Sequence, residues 1–167
     1  MTDVDITIRP TTPDQTAALA EWAAPRLRAL PDYISHGEIL SGRSLDGVHW
    51  VEDLDTVLAR DFAACLESGG MVFVAETDGQ MAGFCAVFCQ TTPHGQSIAT
   101  IEDMLVDDSL RRDGVGRALL KTAEAFADKK GADHILLESG IGNAGAHDFF
   151  ERQGYGVVSK VFARGKP

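Results

Sequence analysis

The stretch from Ile101 to Leu120, I-E-D-M-L-V-D-D-S-L-R-R-D-G-V-G-R-A-L-L, constrains this chain more than any other. It opens as an apolar strand, passes through an acidic turn and brings Arg111, Gly114 and Gly116 to the start of a helix. A helix N-terminus presents unpaired backbone N–H groups and about half a positive charge, and glycines let an anion approach the backbone closely. The segment therefore reads as a phosphate cradle between a strand and a helix. A purely structural reading, in which the glycines only permit a tight turn, stands beside it.

Around this segment the chain divides into short periodic pieces. Asp5 to Arg9 alternates as a strand that Pro10 ends. Thr12-Pro13-Asp14-Gln15 is a helix start with a capping box, and Pro25 is expected to break or kink that helix after Ala24. Residues 31–50 lose periodicity and read as loop with about one helical turn. Leu54, Leu58, Phe62 and Cys65 recur at helical spacing until Ser68-Gly69-Gly70. Met71 to Glu76 and Met81 to Gln90 form a hairpin around Thr77-Asp78-Gly79-Gln80, with Gly83 marking a bulge or a close backbone approach. After the glycines, Val115, Leu119, Ala123 and Phe126 line a helix that Gly131 caps. His134 to Leu137 is expected as a buried strand ending in Glu138, Asn143 to Arg152 as a helix, and Tyr155 to Ala163 as a final strand.

Composition narrows the function. A chain of 167 residues with 44% hydrophobic and 24% charged residues fits one globular domain over 1–167, with a core of its own. A net charge of −10 disfavours nucleic acid and anionic membranes and attracts cationic partners. Cys65, Cys85 and Cys89 cannot all pair and lack zinc-site spacing, so no metal is expected. No apolar run approaches the ~20 residues of a membrane span and no signal-peptide layout opens the chain, which is read as cytoplasmic.

Arg111-x-x-Gly114-x-Gly116, placed after Met104-Leu105-Val106, is followed by Asn143-Ala144-Gly145-Ala146-His147-Asp148-Phe149-Phe150-Glu151-Arg152-Gln153-Gly154-Tyr155. The two together, in this order, resemble the signatures of the GCN5-related N-acetyltransferase (GNAT) family. The resemblance implies a mixed α/β fold: a central, mostly antiparallel sheet with a parallel pair at the cofactor cleft, flanked by helices. It also implies acetyl-CoA as acyl-donor cosubstrate and a primary amine of a small molecule or peptide as acceptor, attacked directly with general-base assistance.

On that resemblance, the backbone of Arg112, Asp113, Gly114, Val115, Gly116 and Arg117 would cradle the pyrophosphate, with Arg111, Arg112 and Arg117 adding charge. Met104 and Val106 would pair with the pantetheine arm, a backbone N–H near Met104 or Leu105 would polarise the thioester, and Asn143 would contact pantetheine. Glu138 and Glu102 are the candidate general bases, Glu102 being expected on the same strand face as Met104 and Val106, with Asp103 on the other. Phe150 stands where many members carry a proton-donating tyrosine; it can pack beside the cofactor but gives no proton, and His147 or water could replace it. In residues 31–50, Asp32, Tyr33, His36, Glu38, His49 and Trp50 could line an acceptor pocket, with no spacing argument to choose among them. The chain has room for one strand after Gly154 where the family often has two, so a homodimer could complete the sheet. A non-catalytic acyl-CoA-binding module is the alternative, whereas a dinucleotide fold fails because Leu119 stands at its third glycine position.

Overall fold

The computed structural model describes residues 5–111 and 113–165. A five-stranded sheet runs in the order β1-β2-β3-β4-β5, with β1 Ile6–Pro10, β2 Met71–Thr77, β3 Gln80–Thr91, β4 Ser97–Val106 and β5 His134–Leu137. The first four strands are antiparallel neighbours, and β5 joins β4 in parallel. Helices α1 Thr16–Arg28 and α3 Leu54–Glu67 cover one face. Helix α4 Val115–Lys129 covers the other, with Phe149 and Phe150 of α5 Ala144–Arg152 packed against its edge.

Local sequence explains most of these elements. Asp78 and Gly79 take φ of 51° and 73° between the paired Thr77 and Gln80, the left-handed pair that a two-residue hairpin turn needs. Leu54, Leu58 and Phe62 are buried on α3, and Val115, Leu119 and Ala123 on α4, as their spacing predicts. Ala82 is the extra residue of a bulge in β3, beside Gly83, where an added Cβ would lie 2.6 Å from the Leu105 carbonyl oxygen. Both readings of Gly83 therefore hold.

Four local expectations are corrected. Helix α1 does not stop at Ala24 but continues through Pro25 to Arg28. Pro25 faces solvent, so water can serve the Glu21 carbonyl that lacks its N–H partner. Within residues 31–50 a helix, α2 His36–Ser41, forms on a Ser35/Glu38 capping box and ends at Gly42 with φ 79°. Strand β5 is half-exposed rather than buried, because it is the sheet edge; Leu136 is 44% exposed. The expected strand from Tyr155 to Ala163 is absent. Tyr155 is anchored to Glu124 of α4 at 3.0 Å, and the residues beyond it leave the sheet with Val157, Val158 and Phe162 at 77, 84 and 91% exposure.

Because the space at Gly83 is taken by the β4 backbone, Gly83→Val is expected to destabilise the fold by about 1–3 kcal/mol, read as a lower urea midpoint at unchanged slope.

Candidate functional site

Strand β4 outruns its parallel neighbour. Pairing begins at Ile98↔His134 and ends at Ile101↔Leu137, while β4 continues to Val106. From Glu102 to Val106 the edge facing β5 is left without a strand, and this open edge forms a cleft in the sheet. This follows from length: β5 has four residues and β4 has ten.

A second irregularity sets what faces the cleft. Ala86 pairs with Asp103 and Val87 with Ile101, so Glu102 is the unpaired residue of a bulge in β4. The bulge reverses side-chain parity. Ala99 and Ile101 join the core on the α4 side, whereas Leu105 joins the core on the α1/α3 side and Met104 and Val106 return to the α4 side. Glu102 is therefore not on the face of Met104 and Val106, as unbroken alternation predicted. Its charged neighbours, Asp103, Arg43, Asp61 and Glu38, all belong to the α2/α3 side. Partial desolvation of the carboxyl, and then the adjoining Asp103, raise it above the ordinary range, although the residue as a whole is exposed.

Asp103 turns inward. Its two carboxylate oxygens accept from Arg43 Nη1 and Nη2 at 2.8 and 2.9 Å, and both residues are almost fully buried. Arg43 also donates to Asp61 at 2.8 Å, so the buried guanidinium lies between two carboxylates. Burial alone would lower the arginine's pKa, but Asp103 outweighs it and the net shift is upward. The Tyr33 hydroxyl donates to Asp103 at 2.9 Å and accepts from the Met104 N–H at 3.3 Å. Burial and Asp103 push this phenol well above its usual range. Tyr33 thus rests on the amide at the middle of the open edge.

Glu138 follows the last residue of β5 and is engaged from residues 35–37. Its Oε1 accepts from the Gly37 N–H at 3.1 Å and contacts the Ser35 hydroxyl, and its Oε2 lies 2.7 Å from His36 Nδ1. Gly140 and Gly142 sit so close to Asp32 that an added Cβ would lie 2.3 and 2.8 Å from its oxygens. The segment between α1 and α3 is therefore clasped across the end of β5. Neither His36 nor Tyr33 could be selected by sequence spacing; the Ser35-x-x-Glu38 capping box was the signal for the helix that starts at His36.

At the other end of the open edge stands α4. Gly114 takes φ 90° as its N-cap and supplies no side chain, so the first N–H groups of the helix are left for an incoming anion. Gly116 lies over Met104 and Phe149, with an added Cβ at 3.4 and 3.5 Å from them. Asp113 and Arg117 are exposed, and Arg111 pairs with Asp108 at 3.0 Å. Arg112 lies outside the described residues. A cavity of about 310 Å³ borders this end, lined in part by Arg26, Leu30, Leu105, Val106 and Arg111. Asn143 precedes α5 without making a side-chain cap, leaving its amide free. Phe150 packs edge-on against Phe149 and Tyr155 at 5.2 and 5.9 Å. Cradle, open edge, Glu138 and Tyr33 come together; Glu102 stands on the far side of the bulge. Among the described residues no His/Cys/Asp/Glu group is arranged to hold a metal, and no helix is long and apolar enough to cross a membrane.

The model of the Acetyltransferase (GNAT) family matches residues 39–155. An uncharacterized N-acetyltransferase of Chlorobaculum tepidum is 28% identical over 80% of this chain and 75% of its own length. Streptothricin acetyltransferase of Streptomyces lavendulae is 38% identical over 53% of this chain and 46% of its own length. An uncharacterized N-acetyltransferase of Methanocaldococcus jannaschii is matched over only 38% of its length, so the chain spans less than half of two of these relatives. Among solved structures, the Bacillus halodurans BH1408 protein superposes with a TM-score of 0.75 at 16% identity, covering 96% of this chain and 99% of that one. An aminoglycoside N-acetyltransferase in complex with CoA superposes with a TM-score of 0.69 at 15% identity, covering 98 and 95%.

The raised Glu102 carboxyl means that its ionised form costs folding free energy at neutral pH. The cost disappears once the group is protonated in both folded and unfolded states. Because solvent screens an exposed group, the effect is small: Glu102→Gln is expected to raise Tm slightly at pH 7 and to leave it unchanged near pH ~3.5, by thermal unfolding at both values.

Proposed function

This chain belongs to the GNAT acetyltransferase family, and from that premise we propose that it transfers the acetyl group of acetyl-CoA to a primary amine of a small molecule or peptide. The observation that carries the reading is the parting of β4 from β5 beside the uncapped, glycine-led start of α4. An extended thiol-ended arm can lie along the open edge while its diphosphate meets the helix N–H groups.

In this reading the backbone of Asp113, Gly114, Val115, Gly116 and Arg117 holds the pyrophosphate, with Arg111 and Arg112 supplying charge. The pantetheine arm runs along Met104, Leu105 and Val106, flanked by Asn143 and Phe150. The Met104 N–H polarises the thioester carbonyl, so the Tyr33 hydroxyl yields that amide when the donor enters. Residues 31–38 form the acceptor side. Glu138 belongs to the proton path there, and Glu102 acts only through water, from the other side of the bulge.

The net charge of −10 favours a cationic acceptor and no nucleic acid or membrane partner. The streptothricin acetyltransferase relative and the aminoglycoside acetyltransferase neighbour support a small polyamine-like substrate. A cytoplasmic setting, where acetyl-CoA is made and used, fits the reading. Homodimer formation through the unpaired residues after Tyr155 is part of it, because Val157, Val158, Val161 and Phe162 are left exposed and β5 is an open sheet edge for a partner's strand to join. A non-catalytic acyl-CoA-binding module is favoured by one observation, the phenyl ring of Phe150 where a proton donor could stand.

Titration calorimetry with acetyl-CoA tests the donor site. Gly114→Glu, which adds bulk and like charge at a left-handed position, is expected to abolish binding, and unchanged affinity would defeat the cradle. Thiol release across aminoglycosides, polyamines and peptide amines then separates enzyme from binding module. Light scattering at micromolar concentration is expected to give twice the chain mass, and Phe162→Lys to reduce it to the monomer.

A further inference from the structure

We propose that His36 is the proton acceptor of the transfer, with Glu138 as the residue that positions it. This rests on the acetyl-transfer reading above and assigns the proton path within it.

Both oxygens of Glu138 are already engaged. Oε1 meets the Gly37 N–H and the Ser35 hydroxyl, and Oε2 meets His36 Nδ1 at 2.7 Å. A carboxylate held on both oxygens is poorly placed to take a proton from an entering amine. It is well placed to orient an imidazole. With Nδ1 donating to Oε2, the neutral ring carries its lone pair on Nε2, the arrangement in which a carboxylate fixes the tautomer of a histidine base. His36 is 36% exposed by side chain, so the ring is open to an entering molecule.

The dyad is also near the reacting position. Glu138 follows Leu137, the residue paired with Ile101 where the two strands part, and Met104 lies three residues farther along β4, roughly 10 Å away. Tyr33, three residues before His36, touches the Met104 N–H. The acceptor amine is placed between that amide and the dyad.

The same residue resolves the leaving-group step. The chain has two tyrosines, and each donates its proton to a carboxylate: Tyr33 to Asp103 and Tyr155 to Glu124. Phe150 has none to give. A histidine that has taken a proton can return it. In full, the free amine R–NH2 attacks the thioester carbonyl carbon and an N–C bond forms. One N–H proton passes to His36 Nε2, the C–S bond breaks, and the CoA thiolate takes that proton from the imidazolium. The products are R–NHCOCH3 and CoA–SH, and His36 is neutral again.

Two measurements test this on the full chain. Long-range 1H–15N spectra read the tautomer without any acceptor: wild type is expected to hold His36 as Nδ1–H, and Glu138→Gln to lose that preference. An Nε2–H tautomer in the wild type overturns the proposal. Turnover with a polyamine or aminoglycoside acceptor is then compared with His36→Asn, whose amide keeps the donor to Glu138 and removes Nε2. The expected result is a kcat lower by on the order of 10²–10⁴ with unchanged acetyl-CoA affinity, partly restored by added imidazole. A His36→Asn enzyme at the wild-type rate overturns the dyad alone, because it leaves acetyl transfer intact. A wild type that binds no acetyl-CoA in calorimetry overturns the whole reading of the cleft, and the dyad with it.

Discussion

The structure of the cleft depends on the ion pair between Arg43 and Asp103. Both groups are out of water, and their bidentate geometry at 2.8 and 2.9 Å is what makes burying two charges tolerable. Removing either partner would leave the other charge stranded, at a cost of about 3–5 kcal/mol. The pair joins the segment between α1 and α3 to the middle of β4. Through Asp103 it holds Tyr33, and through Tyr33 it reaches the Met104 amide. Together with the contacts of Glu138 to Ser35, His36 and Gly37, it draws residues 31–43 onto the sheet.

That ion pair exists because β4 carries a bulge. Counted on from Ile101, which faces α4, strict alternation would return Asp103 to the α4 side and send only Glu102 to the other. The extra residue instead turns Asp103 into the α1/α3 side and carries Glu102 with it. It also leaves the Met104 N–H to bond a side chain, Tyr33. One inserted residue therefore creates the buried anchor for the segment between α1 and α3, next to the amide on which Tyr33 rests. The short β5 completes the arrangement by ending where the bulge begins.

Much of this was legible from residues alone. The hairpin at Asp78-Gly79, the buried stripes of α3 and α4, and the glycine-led helix start at Gly114 all appear where the sequence places them, since each depends on neighbours a few residues away. The misreadings have a common cause. Pro25 was expected to end a helix, but a proline on the solvent face lets water serve the freed carbonyl. Tyr155 to Ala163 has the composition of a strand, yet a strand needs an edge to pair with, and the Tyr155–Glu124 bond leads the chain away from β5. Residues 31–50 have no period because long-range polar contacts, rather than an apolar stripe, hold them.

The sequence by itself determined the glycine-led helix start, the helices and hairpin that flank it, and the family to which the chain belongs, because these are written in local spacing. Only the tertiary structure decided which side Glu102 faces, that Asp103 is an anchor, and that Glu138 meets His36 rather than standing free. These depend on a register shift and on partners far apart in the chain: 60 residues for Arg43 and Asp103, and 101 for Gly37 and Glu138. No local pattern encodes contacts of that separation; the closing of the sheet brings them into being.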